Sequence, residues 1–109
     1  MNLNEYQNKA RQTALYPNVG ANVVYPTLGL VGESGEVAEK VKKVLRDSDG
    51  NFDQVVKDAI KLELGDVLWY LSQLSSELGF ELEHVAMSNL EKLSSRSKRG
   101  QIGGDGDNR

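Results

Sequence analysis

Gly32-Glu33-Ser34-Gly35-Glu36-Val37-Ala38-Glu39, answered some thirty residues later by Glu63-Leu64-Gly65-Asp66, is the stretch around which the chain is organised. Each half places two carboxylates at i and i+3, which on a helix are neighbours on one face. With about 100° of rotation per residue, the apolar side of the first helix runs through Leu30, Val31, Val37, Val41, Val44 and Leu45. Glu33 borders that side and Glu36 lies just beyond it. On the second helix the apolar side runs through Val56, Ile60, Val67, Leu71, Leu74 and Leu78, and Glu63 falls inside it. Four acids then surround one small volume, where each is costly to bury unpaired and each repels the others. A hard divalent cation such as Mg²⁺, with Mn²⁺ as a substitute, removes both penalties because it prefers oxygen ligands and tolerates water in its remaining positions.

Working outward, Tyr25-Pro26-Thr27-Leu28-Gly29-Leu30 leads into the first pair and Asp66-Val67-Leu68-Trp69-Tyr70 follows the second. Asn89-Leu90-Glu91-Lys92-Leu93 and Arg96 come later. In these contexts the pairs Glu33-x-x-Glu36 and Glu63-x-x-Asp66 resemble the metal site of the all-α nucleoside triphosphate pyrophosphohydrolases, the MazG-like family, and the resemblance covers nearly the whole chain. It implies an all-α, four-helix bundle-like fold that self-associates as a homodimer or homotetramer. It also implies a reaction in which a nucleoside triphosphate becomes the monophosphate and pyrophosphate. Glu33, Glu36, Glu63 and Asp66 would hold one or more Mg²⁺ and serve the catalysis, water would attack the α-phosphorus, and Glu36 or Glu63 would take its proton.

The remaining site residues are expected on the same grounds. Tyr70, one turn beyond Asp66 on the same face, is placed for the sugar or base, with core packing as its structural alternative. Asn89, Lys92 and Arg96 share or flank the apolar side of the last helix, where polar groups need partners. The resemblance implies that they bind substrate phosphates; an internal hydrogen bond or salt bridge would satisfy them equally. The closing Gly-Asp-Asn-Arg is similar to the ends of some single-domain members of the family, so Asn108 and Arg109 could fold over a bound nucleotide.

Composition bounds the alternatives. A chain of 109 residues makes one domain; we expect residues 1–98 to form it and the glycine-rich 99–109 to be a flexible tail. The mild net charge of −3 argues against a nucleic-acid partner. Without cysteine there are no disulfides or thiolate metal sites. No apolar run approaches the roughly 20 residues of a membrane span, and the N-terminus lacks the regions of a signal peptide. The expected location is cytoplasmic.

In order, Asn2 and Glu5 read as a capping box that opens a helix ending near Tyr16, before Pro17. A loop follows, and a second helix runs from about Pro26 to Arg46. Gly29, Gly32 and Gly35 within it cost about 1 kcal/mol each relative to alanine, which close helix packing would offset. Asp47-Ser48-Asp49-Gly50-Asn51 is a turn without the spacing of a calcium loop. A third helix runs from Asp53, its N-cap, to Leu78, with Gly79 as terminator. It is apolar on nearly every side around Leu62, Leu64, Val67, Leu68, Trp69 and Leu71, so part of it should meet another subunit, and Trp69 reads as an interface residue. The fourth helix, from about Glu81 to Ser97, should face Leu82, Val85, Ala86, Leu90 and Leu93 inward. Glu81-x-x-His84 is half of a di-iron motif, but such bundles need two. The rival functions are a non-catalytic helical interaction protein and a relative acting on another substrate, such as phosphoribosyl-ATP.

Overall fold

Side-chain caps set where the helices begin. In the computed structural model, which describes residues 1–100 and 103–108, the helices are α1 Leu3–Arg11, α2 Val24–Asp47, α3 Gln54–Glu77 and α4 Leu82–Lys98, with no strand among the described residues. The Asn2 carboxamide oxygen accepts from the Glu5 N–H at 2.8 Å, Asn22 from Tyr25 at 3.0 Å and Asp53 from Val56 at 2.9 Å. Each satisfies a donor that the helix itself cannot. The α4 N-terminus has no such local cap. Gln7 of α1 supplies it from a distance, accepting from the Leu82 N–H at 2.8 Å while donating to the Phe80 carbonyl at 2.9 Å and the Ser76 hydroxyl at 3.0 Å. The turn thus held begins at Gly79, whose φ of 79° is the left-handed conformation that ends α3.

The first helix stops five residues short of Tyr16, where the sequence pattern had placed its end. Thr13 and Ala14 turn their N–H groups back to the carbonyls of Ala10 and Arg11. Tyr16 can then point inward, its hydroxyl accepting from Arg11 at 2.7 Å and donating to Glu77 at 2.7 Å. The turned segment also receives Trp69, whose indole N–H donates to the Thr13 hydroxyl at 2.8 Å. Trp69 therefore ties α3 to the segment after α1 within the chain while its ring stays half-buried.

Helices α2 and α3 form a long antiparallel hairpin across the turn at 48–53, with Lys40 opposite Glu63 and Gly29 opposite Tyr70. Helix α1 lies antiparallel on α3, and α4 touches α1 and α3 but not α2. Val44 and Leu82 are buried, and Leu30, Val37 and Val41 are half-buried, while Val31 and Leu45 on the same helix remain exposed. Leu90 and Leu93 are exposed as well, although their spacing predicted an inward face. The reason is the shortness of α1, whose nine residues meet only the start of α4, through Asn4–Glu83 and Gln7–Leu82. The chain is open as a result, with a radius of gyration of 16.7 Å against about 13 Å for a compact domain of this length.

One buried polar network locks the α1–α3 contact to the loop before α2. The Glu77 carboxylate accepts from Tyr16 and from the Gly20 N–H at 2.9 Å, and Arg11 lies 3.5 Å away while also donating to Gln73 at 2.9 Å. Burial pushes the Glu77 carboxyl up, but the hydrogen bonds from Tyr16 and Gly20 and the Arg11 charge outweigh it and hold it below its ordinary 4.5. The folded-state value is thus the lower one. Ionised Glu77 stabilises the fold above the ordinary value, and this contribution is lost as pH falls through the depressed one. Glu77→Gln is expected to remove about 2 kcal/mol at neutral pH. Denaturant melts at neutral pH and well below pH 4.5 should show the gap between variant and wild type closing; a constant gap would refute the charge as its source.

Candidate metal centre and its surroundings

The antiparallel register of α2 and α3 brings Glu33 across from Glu63 and Asp66. One carboxylate oxygen from each lies within 4.8 Å of the others, with Glu33 and Glu63 half-buried and Asp66 exposed. Burial and the neighbouring carboxylates of Glu63, Asp66 and Glu36 hold the Glu33 carboxyl above its ordinary 4.5. Three convergent hard oxygen donors on rigid helices, open to water on the Asp66 side, fit the preferences of Mg²⁺ or Mn²⁺. The sequence pairs are thus brought together, with one exception. Glu36 is exposed and lies outside the group of three.

The sequence reading missed a cation at the same place. The Lys40 ammonium lies 3.4 Å from a Glu63 oxygen and offsets part of the negative charge. Its signal was available, since Lys40 follows Glu36 by four residues and Glu33 by seven and so shares their face.

Tyr70 adjoins the acids. Burial raises its hydroxyl above the ordinary 10.0, and Tyr25 and the charges of Glu33 and Asp66 add to the effect. Its ring lies 5.0 Å from that of Trp69 and 6.4 Å from that of Tyr25, which itself stacks on Tyr16 at 5.1 Å. This aromatic row packs against α2 at Gly29, where any Cβ would overlap the Tyr70 ring. Close packing accounts for Gly29 alone. A Cβ at Gly32 or Gly35 would meet nothing within 4 Å.

The expected substrate residues of α4 form a separate group. Asn89 and Lys92 line a shallow groove of about 440 Å³ together with Phe80, His84, Val85 and Ser88. Lys92 donates to the Asp107 carboxylate at 2.9 Å. The buried Arg96 donates to that carboxylate at 3.2 Å and to the carbonyls of Gly106 and Asp107 at 3.3 and 2.8 Å. The internal partners that the sequence left open for these two cations thus come from the tail, which folds back onto α4. Together the two cations hold the Asp107 carboxyl below its ordinary 3.8. Asn108 is exposed, and Arg109 lies outside the described residues. Because α2 and α4 do not touch, the α4 group is not joined to Glu33 within one chain.

The model of the MazG nucleotide pyrophosphohydrolase domain matches residues 26–100, which span both carboxylate pairs and all of α4. A protein of Mycobacterium phage L5 described as Gene 37 protein is 49% identical over 114 residues, covering the whole of both chains. No solved structure matches the chain. No helix among the described residues is long and apolar enough to cross a membrane.

Proposed function

Since the chain belongs to the MazG nucleotide pyrophosphohydrolase family, we propose that it hydrolyses a nucleoside triphosphate to the monophosphate and pyrophosphate, using a divalent cation held by Glu33, Glu63 and Asp66. The observation that carries this reading is the convergence of three carboxylate oxygens within 4.8 Å across two helices. When bound, Mg²⁺ or Mn²⁺ supplies Lewis acidity, neutralising triphosphate charge and lowering the pKa of water at the site.

The chain's own residues do the rest. Glu36 stands one turn from Glu33 and outside the trio, which suits it to take the proton from water attacking the α-phosphorus. Lys40 holds one Glu63 oxygen and so orients that carboxylate. Tyr70 borders the acids where a sugar or base would lie, and Asn89, Lys92 and Arg96 offer phosphate donors from α4.

In this reading the α4 donors reach the carboxylates through assembly, as a homodimer or homotetramer. The open shape supports it, as does the exposure of Leu62 and Leu64 on α3, at 72% and 53%. Apolar area of that kind is usually covered by a partner. Sedimentation at micromolar concentration should show a dimer or larger species, with Leu62→Asp shifting it toward monomer. A wild-type monomer would refute assembly.

Incubation with each common nucleoside and deoxynucleoside triphosphate and with phosphoribosyl-ATP, with Mg²⁺ and with chelator, tests the reaction itself. Monophosphate and pyrophosphate are expected only with the metal. Diphosphate and orthophosphate would place attack at the γ-phosphorus and overturn the proposed chemistry. No turnover of any nucleotide would favour a non-catalytic interaction protein, and turnover of phosphoribosyl-ATP alone would favour that substrate.

A further inference from the structure

Two cations of α4, Lys92 and Arg96, already hold an anion. Arg96 is only 4% exposed, and its Nε has no hydrogen-bond partner among the described residues. A buried guanidinium needs more acceptors than it has here, so its surroundings suit an anion offering several oxygens. Asp107, by contrast, is 79% exposed on the side chain and reaches Lys92 and Arg96 from the solvent side. Gly106, with φ of 81°, lets the backbone turn so that the carboxylate and two carbonyls face the cations together. Among the described residues, these two cations of α4 are the partners of that carboxylate. It can leave without disturbing the helices.

We propose that Lys92 and Arg96 form an anion site whose resting occupant is the Asp107 carboxylate, and that a phosphate or pyrophosphate group displaces it and releases the tail. The inference rests on the reading that α4 meets the substrate's phosphates, and it makes the tail an internal competitor for them. Pyrophosphate carries more charge and more acceptor oxygens than one carboxylate, and its phosphoryl oxygens can satisfy both Arg96 and Lys92. An exposed carboxylate paired with a half-buried lysine is weakly held, so the exchange is reversible and the tail returns once the anion leaves.

Asp107→Asn removes the competing charge and keeps the shape and the two carbonyl contacts. Pyrophosphate is titrated calorimetrically into the full chain in metal-free buffer, where binding reports the α4 cations because Glu33, Glu63 and Asp66 repel an anion. Asp107→Asn is expected to bind it about five- to tenfold more tightly, the factor by which a mostly closed tail lowers apparent affinity. Lys92→Ala in the same background should abolish the gain, and saturating pyrophosphate should speed amide exchange at 103–108 in the wild type. The proposal is overturned if Asp107→Asn binds no tighter or if exchange in the tail is unchanged at saturation. Hydrolysis is read separately. A chain that fails to hydrolyse any nucleotide yet shows the tighter binding keeps the anion site and loses the enzyme, while hydrolysis without the gain loses only the competing tail.

Discussion

Replacing Glu63 or Asp66 with its amide is expected to slow pyrophosphate release at least about a hundredfold, equivalent to about 3 kcal/mol of transition-state stabilisation. The amide keeps the volume and removes one negative donor from the group of three that spans 4.8 Å. The fold should survive, since the amide keeps the side-chain volume and relieves repulsion among the three acids, while the Lys40–Glu63 pair that Glu63→Gln weakens is partly exposed and contributes little. Melting in Mg²⁺ separates binding from fold. A cation that binds only the folded state raises the melting temperature by mass action, so millimolar Mg²⁺ should stabilise the wild type and do so much less in Glu63→Gln. Glu36→Gln should behave differently, losing turnover while keeping the stabilisation by Mg²⁺, because Glu36 lies outside the trio. Near wild-type rates in Glu63→Gln and Asp66→Asn at saturating Mg²⁺ would end the metal-site reading. Loss of Mg²⁺ stabilisation in Glu36→Gln would instead make Glu36 a fourth ligand.

Gly29→Ala and Gly32→Ala are expected to have opposite signs, although the two glycines are one turn apart on the same helix. Alanine gains about 1 kcal/mol of helix propensity at either position. At Gly32 nothing lies within 4 Å of the added carbon, so that gain should appear as a higher melting temperature. At Gly29 the carbon would meet three atoms of the Tyr70 ring. A ring half-buried among Tyr25 and Trp69 cannot step aside as a flexible chain end would. Overpacking of this kind typically costs 1–3 kcal/mol and outweighs the propensity term. Gly29→Ala should therefore melt lower than wild type, and Tyr70→Ala should relieve part of the loss in the double variant. Equal stabilisation by both alanines would show that the ring has room to move. The variant should also lose activity, because displacing Tyr70 spreads α2 from α3 one turn from Glu33.

Much of this was legible from residue order. Asn2, Asp53 and Gly79 mark helix boundaries through short-range hydrogen bonding, so α2, α3 and α4 fall within about two residues of their expected limits, as local chemistry should allow. Two E-x-x-[DE] pairs at helical spacing, in the surroundings of Tyr25–Leu30 and Trp69–Tyr70, identified the family, and the match over 26–100 agrees. Spacing alone says which residues share a face of one helix. It does not say which partner helix that face will meet. The α2–α3 register therefore decided that Glu33, Glu63 and Asp66 converge while Glu36 stays outside, and that Lys40 reaches Glu63. Likewise Tyr16 leaves the helical pattern because Glu77, sixty-one residues away, offers its hydroxyl an acceptor, and Leu90 and Leu93 are left uncovered by the chain's own helices because α1 is too short to reach them. The sequence by itself determined an all-α chain carrying paired acids. Only tertiary structure decided which acids meet and which cations Asp107 holds, because those outcomes depend on long-range pairing that no local pattern encodes.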